Sequence, residues 1–128
     1  MKNHVDKVDK ETVYFTTEYG FGKGIWKAAN PILMQDYFVE FDIEKKYCFE
    51  DMHIETNGQY QIKLCDNVIS FTVLFEAYEE NGCATVRIGN SIFEVETDAD
   101  ERFPALLDSY VTLHAEELFI YDEGVTNV

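Results

Sequence analysis

Across residues 37–97 apolar and polar side chains alternate with a period of two, and turn-forming pairs interrupt the alternation at short intervals. Tyr37, Val39, Phe41 and Ile43 alternate with Phe38, Glu40, Asp42 and Glu44. A two-residue turn at Gly89-Asn90 sets Val86 opposite Phe93 and Ala84 opposite Val95, and one at Asp66-Asn67 sets Leu64 opposite Ile69 and Ile62 opposite Phe71. Asn81-Gly82, read the same way, puts Phe75 opposite Ile88, Ala77 opposite Val86 and Glu76 opposite Arg87. At Asn57-Gly58 a three-residue loop with Gly58 in the left-handed region pairs Ile54 with Tyr60, and a turn at Lys45-Lys46 brings Val39 opposite Met52. The pattern predicts six antiparallel strands with one shared apolar face.

The flanks read differently. Residues 1–10 are polar and aperiodic and read as a frayed tail, as do residues 124–128. Thr12–Thr17 is β-branched and aromatic, a first strand. Gly20, Gly22 and Gly24 follow without the spacing of either phosphate-binding glycine motif, and read as a loop or bulge. Residues 25–30 suit a helical turn ended by Pro31, with Trp26 anchoring the segment to the core. Beyond the meander the period changes: Phe103, Leu106, Leu107, Tyr110, Val111, His114 and Leu118 follow i, i+3, i+4 spacing. Asp98, Asp100 and Glu101 at its start favour a helix N-terminus, and Pro104 is tolerable only in the first turn. Residues 119–121 are a short extended run. The expected architecture is α+β: an antiparallel meander of six to seven strands with a C-terminal helix packed on one face, residues 1–128 forming a single domain. The alternative is a small up-and-down barrel.

Composition supports a core, with 46% hydrophobic and 15% aromatic residues. No apolar run approaches the ~20 residues of a membrane span. The first ten residues lack a hydrophobic signal region, so the expected compartment is the cytoplasm. Cys48, Cys65 and Cys83 are odd in number and lack CxxC spacing, which fits reduced thiols better than disulfides or zinc ligation.

Charge is the compositional outlier. The net charge is −15; residues 1–35 hold five Lys against four acids, +1, so the chain from Asp36 onward carries −16. Such a field opposes nucleic acid and favours a basic protein partner. Three histidines offer little catalytic chemistry: His4 lies in the tail, His114 on the apolar face of the expected helix, and His53 among Asp51 and Glu55 on a strand. With 25 acids, carboxylate pairs arise by chance, and the EF-hand pattern is missing around Asp98 and Asp100. The reading is therefore a non-enzymatic binder without metal or cofactor. Its candidate partner-binding face carries Glu40, Asp42 and Glu44 from one strand and Glu94 and Glu96 from another, with Phe49, Leu74, Tyr78 and Ile92 between them.

A short chain with the acidic strand YFVEFDIE and no enzyme motif resembles the small acidic immunity proteins of bacterial toxin systems, contact-dependent inhibition among them. The resemblance implies neutralisation of a cognate toxin, often a basic nuclease, by occlusion. A small-molecule carrier or barrel-type enzyme with an aromatic-lined interior pocket is the competing expectation; a closed barrel with a cavity of ~300 Å³ or more would favour it.

Overall fold

A computed structural model describes residues 1–27 and 31–125, and among them regular structure is almost entirely β. Five strands close into a barrel: β1 (Lys2–Asp9), β2 (Thr12–Thr17), β3 (Gly20–Trp26), β4 (Asp36–Asp42) and, from the far end of the chain, β12 (Phe119–Val125). Neighbours are antiparallel except at the closing seam, where β12 runs parallel to β3 through Phe119↔Ile25 and Ile120↔Trp26. The interior is filled. Val5, Val13, Phe15, Trp26, Tyr37, Val39, Phe41 and Ile120 are all buried. Phe15 lies opposite Gly22 in the ladder, and a Cβ added at Gly22 would meet the Phe15 ring at 3.0 Å. The Gly20, Gly22, Gly24 run is thus neither a loop nor a phosphate site. These are the inward positions of β3, where Phe15 and Ile120 of the barrel and the Ile62 backbone of the neighbouring Gln61–Cys65 strand leave no room for side chains.

The second half is organised by β8 (Val68–Tyr78). One of its edges pairs with β11 (Tyr110–Ala115); the other is shared by β7 (Gln61–Cys65) and β9 (Cys83–Ile88), which continues into β10 (Ser91–Thr97). Two short strands complete it, β5 (Lys46–Tyr47) beside β10 and β6 (His53–Ile54) beside β11. Phe41 joins the halves: its ring centroid is 5.6 Å from Phe15, 6.1 Å from Phe71 and 6.1 Å from Phe93. One hydrophobic core therefore runs through both.

The structure corrects several expectations. The C-terminal helix does not exist: the segment is a short 3-10 turn, Phe103–Leu106, followed by strand β11. Its apolar spacing fits both periods, and the strand period wins, because Val111, Leu113 and Ala115 are buried while His114 and Leu107, both on the expected helical face, are exposed. Closure occurs, but through β1, β2, β3 and β12 rather than around the meander. Residues 2–9 form β1, paired on both sides, instead of a tail. Residues 37–43 do not turn back at Lys45-Lys46; β4 pairs with β1 and β12, and β5 continues onward beside β10. Ile54 pairs with Val111 rather than Tyr60, although Gly58 does adopt φ +56°.

Both two-residue hairpins have the expected registers, Leu64↔Ile69 with Ile62↔Phe71, and Val86↔Phe93 with Ala84↔Val95. The Asn81-Gly82 hairpin slips by one beside the turn, where Ala77 faces Thr85, and by two beyond an irregularity between Phe75 and Ala77 that takes up Glu76, where Phe75 faces Val86. The Glu76 carboxylate still reaches Arg87, accepting from Nε and Nη2. Trp26 is buried against Tyr37, ring centroids 5.0 Å apart, as an anchor should be. Of the helical turn expected over residues 25–30, Ile25 and Trp26 belong to β3 and residues 28–30 lie outside the described residues. Of the residues expected to fray at the C-terminus, Gly124 and Val125 are in β12, and residues 126–128 lie outside the described residues.

Candidate functional site

A groove of about 830 Å³ lies on the outside of the barrel, between β1, β2 and β4 on one side and the β9–β10 turn on the other. Alternation along β4 turns Tyr37, Val39 and Phe41 inward and sends Phe38 and Glu40 out into this groove. Along β10 the same rule buries Phe93 and Val95 and exposes Ile92, which lines the opposite side. Two large apolar side chains, Phe38 at 48% exposure and Ile92 at 54%, thus share a groove with polar neighbours.

The groove's charges come in two groups. His4 donates from Nδ1 to Asp36 Oδ1 at 2.6 Å, and Lys2 Nζ lies 3.4 Å from Asp36 Oδ2. The His4 hydrogen bond, with Lys2 adding to it, holds the Asp36 carboxyl below its ordinary range. The far nitrogen of His4 sits 4.0 Å from Asp6 Oδ1, so the imidazole is held between two carboxylates rather than aimed at a nucleophile. At the other group Glu40 and Glu123 lie side by side. Hydrogen bonding and repulsion from Glu123 push the Glu40 carboxyl above its ordinary range, an effect that the Met1 α-ammonium, also on the groove's lining, offsets only in part.

The candidate face of the sequence reading is only partly brought together. Glu40 enters this groove; Glu44, beyond the end of β4, lines a second and smaller one; Asp42 lies between them opposite Phe119. Glu94 and Glu96 project from β10 on the same side as Ile92, and Glu96 pairs with Lys46 at 3.7 Å. Phe49 and Tyr78 are half-buried and belong to packing. Both rings lie against Phe103, at 5.7 and 5.6 Å, with Phe75 completing the cluster and the Arg102 guanidinium over Phe49 at 4.4 Å. Asp98 and Asp100 act as turn acceptors, Asp100 taking hydrogen bonds from both the backbone and the side chain of Arg102. His53 and His114 are exposed on paired strands, ring centroids 6.3 Å apart. Among the described residues no group of three or more metal-ligating side chains converges.

In the sequence His4 reads as part of a tail, because a strand as polar as β1 carries too few apolar residues to show its period, and Asp36 and Glu123 come beside it only through the long-range pairing of β4 with β1 and β12. The buried positions Asn3 and Val5 between exposed or half-exposed Lys2, His4 and Asp6 were the available signal.

These features define an all-β protein in which a closed five-stranded barrel shares its core with a second sheet. No protein-family model matches the chain, and no curated protein or solved structure is significantly similar to it. No helix among the described residues is long and apolar enough to cross a membrane.

Proposed function

We propose that this protein is a binding module for a basic protein partner, an inhibitor of the immunity-protein kind that occludes a cognate toxin domain. The observation that carries the reading is the outer groove. It exposes Phe38 and Ile92, apolar anchors of the size interfaces use, beside the mutually repelling Glu40 and Glu123. A partner cation between these two carboxylates would relieve their repulsion, and the surrounding −16 would speed its approach. The carrier reading needs a cavity inside the barrel. Barrel closure speaks for it, whereas the filled interior and the outside position of the groove support the binding module.

The test uses the product of the neighbouring reading frame in the native host as partner. Association rates are measured against salt for the wild type and for Glu40→Lys/Asp42→Lys/Glu44→Lys. The variant should associate at least about tenfold more slowly at low salt, the gap narrowing as the Debye length falls to ~8 Å at physiological ionic strength. Equal rates at low salt would refute the reading.

A further inference from the structure

The second groove, about 360 Å³, opens at the other end of the acidic strand. Glu44 is four residues beyond Glu40, about 13 Å along an extended chain. The floor is apolar: Ile43, Ala115 and Phe119 are buried. The rim is acidic. Glu44 comes from the link between β4 and β5, and Glu116 and Glu117 from the turn between β11 and β12. None of the three is in an ion pair among the described residues. Lys45 is the single lysine or arginine on the described lining, with its Nζ 4.9 Å from the Tyr47 ring centroid, and Lys27, off the lining, places its Nζ 5.0 Å from the ring centroid of Phe119. The chain's own arginines are committed elsewhere, Arg87 to Glu76 and Arg102 to Asp100 and Glu50.

We infer that this groove is a socket for one arginine side chain of the basic partner. The inference rests on the basic-partner reading and adds a second point of attachment to it. An apolar floor under a carboxylate rim matches a side chain with an aliphatic stem and a charged head. Arginine suits it better than lysine: its planar, weakly hydrated guanidinium spreads five donors and can reach carboxylates from both walls together. A second copy of this chain is a poor occupant, because two molecules each carrying −15 repel. With Glu40 holding one end of the partner and this socket the other, β4 sets the spacing between two cationic contacts.

The socket can be tested without the partner. N-acetyl-arginine N-methylamide, the lysine analogue and the neutral isostere N-acetyl-citrulline N-methylamide are titrated into isotope-labelled protein at low salt and followed by NMR. The arginine compound should shift resonances of Glu44, Val68, Ala115 and Glu117, with a dissociation constant in the millimolar range expected of a fragment. Lysine should bind more weakly and citrulline at least tenfold more weakly. Glu44→Gln/Glu116→Gln/Glu117→Gln changes only exposed side chains and should abolish the preference for arginine over citrulline. Equal binding of arginine and citrulline, or shifts centred on Phe38 and Ile92 instead, would overturn the socket. So would unchanged partner dissociation from the triple glutamine variant, an outcome that leaves the basic-partner reading standing.

Discussion

The seam that closes the barrel rests on Gly24, and replacing it with alanine tests the closure. A Cβ there would sit 2.7 Å from Ile120 Cδ1, 2.8 Å from Ile120 Cγ1 and 2.9 Å from the Leu118 carbonyl oxygen. Ile120 is fully buried, and Ile25 N donates to that same Leu118 carbonyl at 2.7 Å, so neither neighbour is free to retreat. Two effects compete. Alanine should favour a strand over glycine by about 0.5–1 kcal/mol, because the unfolded chain loses freedom. Overpacking a filled core costs about 1–3 kcal/mol. The expected net is a destabilisation of roughly 1–2 kcal/mol, which at this chain length lowers the melting temperature by about 4–8 °C.

Urea unfolding of four proteins measures it: wild type, Gly24→Ala, Ile120→Val and the double variant. Valine lacks the Cδ1 that makes the closest approach, so the double variant should recover part of the loss, with a coupling of roughly 0.5–2 kcal/mol. The sign of the single substitution decides. In a surface loop, alanine at a glycine with ordinary φ would be neutral or stabilising by up to about 1 kcal/mol. A neutral or stabilised Gly24→Ala without coupling to Ile120 would mean that β3 does not meet β12 and the barrel is open.

Three further outcomes follow from particular side chains. Phe103→Ala empties a fully buried site packed by Phe49, Phe75 and Tyr78, and should cost about 3–5 kcal/mol in urea unfolding; a loss under 1 kcal/mol would put Phe103 outside the core. Asn3 is fully buried with neither Oδ1 nor Nδ2 hydrogen-bonded, so Asn3→Val should raise stability by about 1 kcal/mol, and a clear loss would show that the amide has a partner such as a buried water. Glu123→Gln removes the neighbour that pushes the Glu40 carboxyl up, so a ¹³C titration should find Glu40 titrating lower in the variant. Because a raised carboxyl takes up its proton more readily in the folded state, this pair gains stability as pH falls through the raised value and loses it on return to neutrality. The variant should flatten that dependence, and an unchanged Glu40 titration would separate the two carboxylates.

What the sequence disclosed depends on how local the determinant was. Asp66 and Asn67 both take positive φ, at 50° and 67°, and Gly89 sits at 60°; in such two-residue turns the residue types alone set the register. Around Asn81-Gly82 the register slips by one beside the turn, which leaves Ala77 exposed, and by two beyond Glu76, where a shift of two keeps each side chain on its own face. Apolar pairing therefore could not tell Phe75 opposite Ile88 from Phe75 opposite Val86; the irregularity at Glu76 decided it. β4 and β6 were misassigned for another reason: their partners β1, β12 and β11 lie far along the chain, and the Lys45-Lys46 and Asn57-Gly58 signals encouraged hairpins that tertiary pairing overrode. The glycines of β3 were unreadable in isolation, because what removes their side chains is the Ile62 backbone on β7 for Gly20, Phe15 on β2 for Gly22 and Ile120 on β12 for Gly24.

The charge was legible as a sum but not as a direction, and the topology supplies the direction. The five lysines that bring residues 1–35 to +1 lie on β1 and β3 or in the connections beside them, along one part of the barrel wall. β4 and β12 carry Glu40, Asp42, Asp122 and Glu123 on the adjoining part, and β10 adds Glu94 and Glu96 farther along the strand from Ile92, outside the groove's lining. The surface is thus near neutral where β1 to β3 face solvent and strongly acidic where β4, β12 and β10 converge. A uniform −15 would attract a basic domain from any side, whereas an uneven one turns it during approach, so that encounter and final orientation are selected together. It also explains why the groove can pair Lys2 and His4 with Asp36 without losing its character: that cluster is satisfied within itself, and Glu40 with Glu123, only partly offset by the Met1 α-ammonium, at one end and Glu44 with Glu116 and Glu117 at the other remain for the partner.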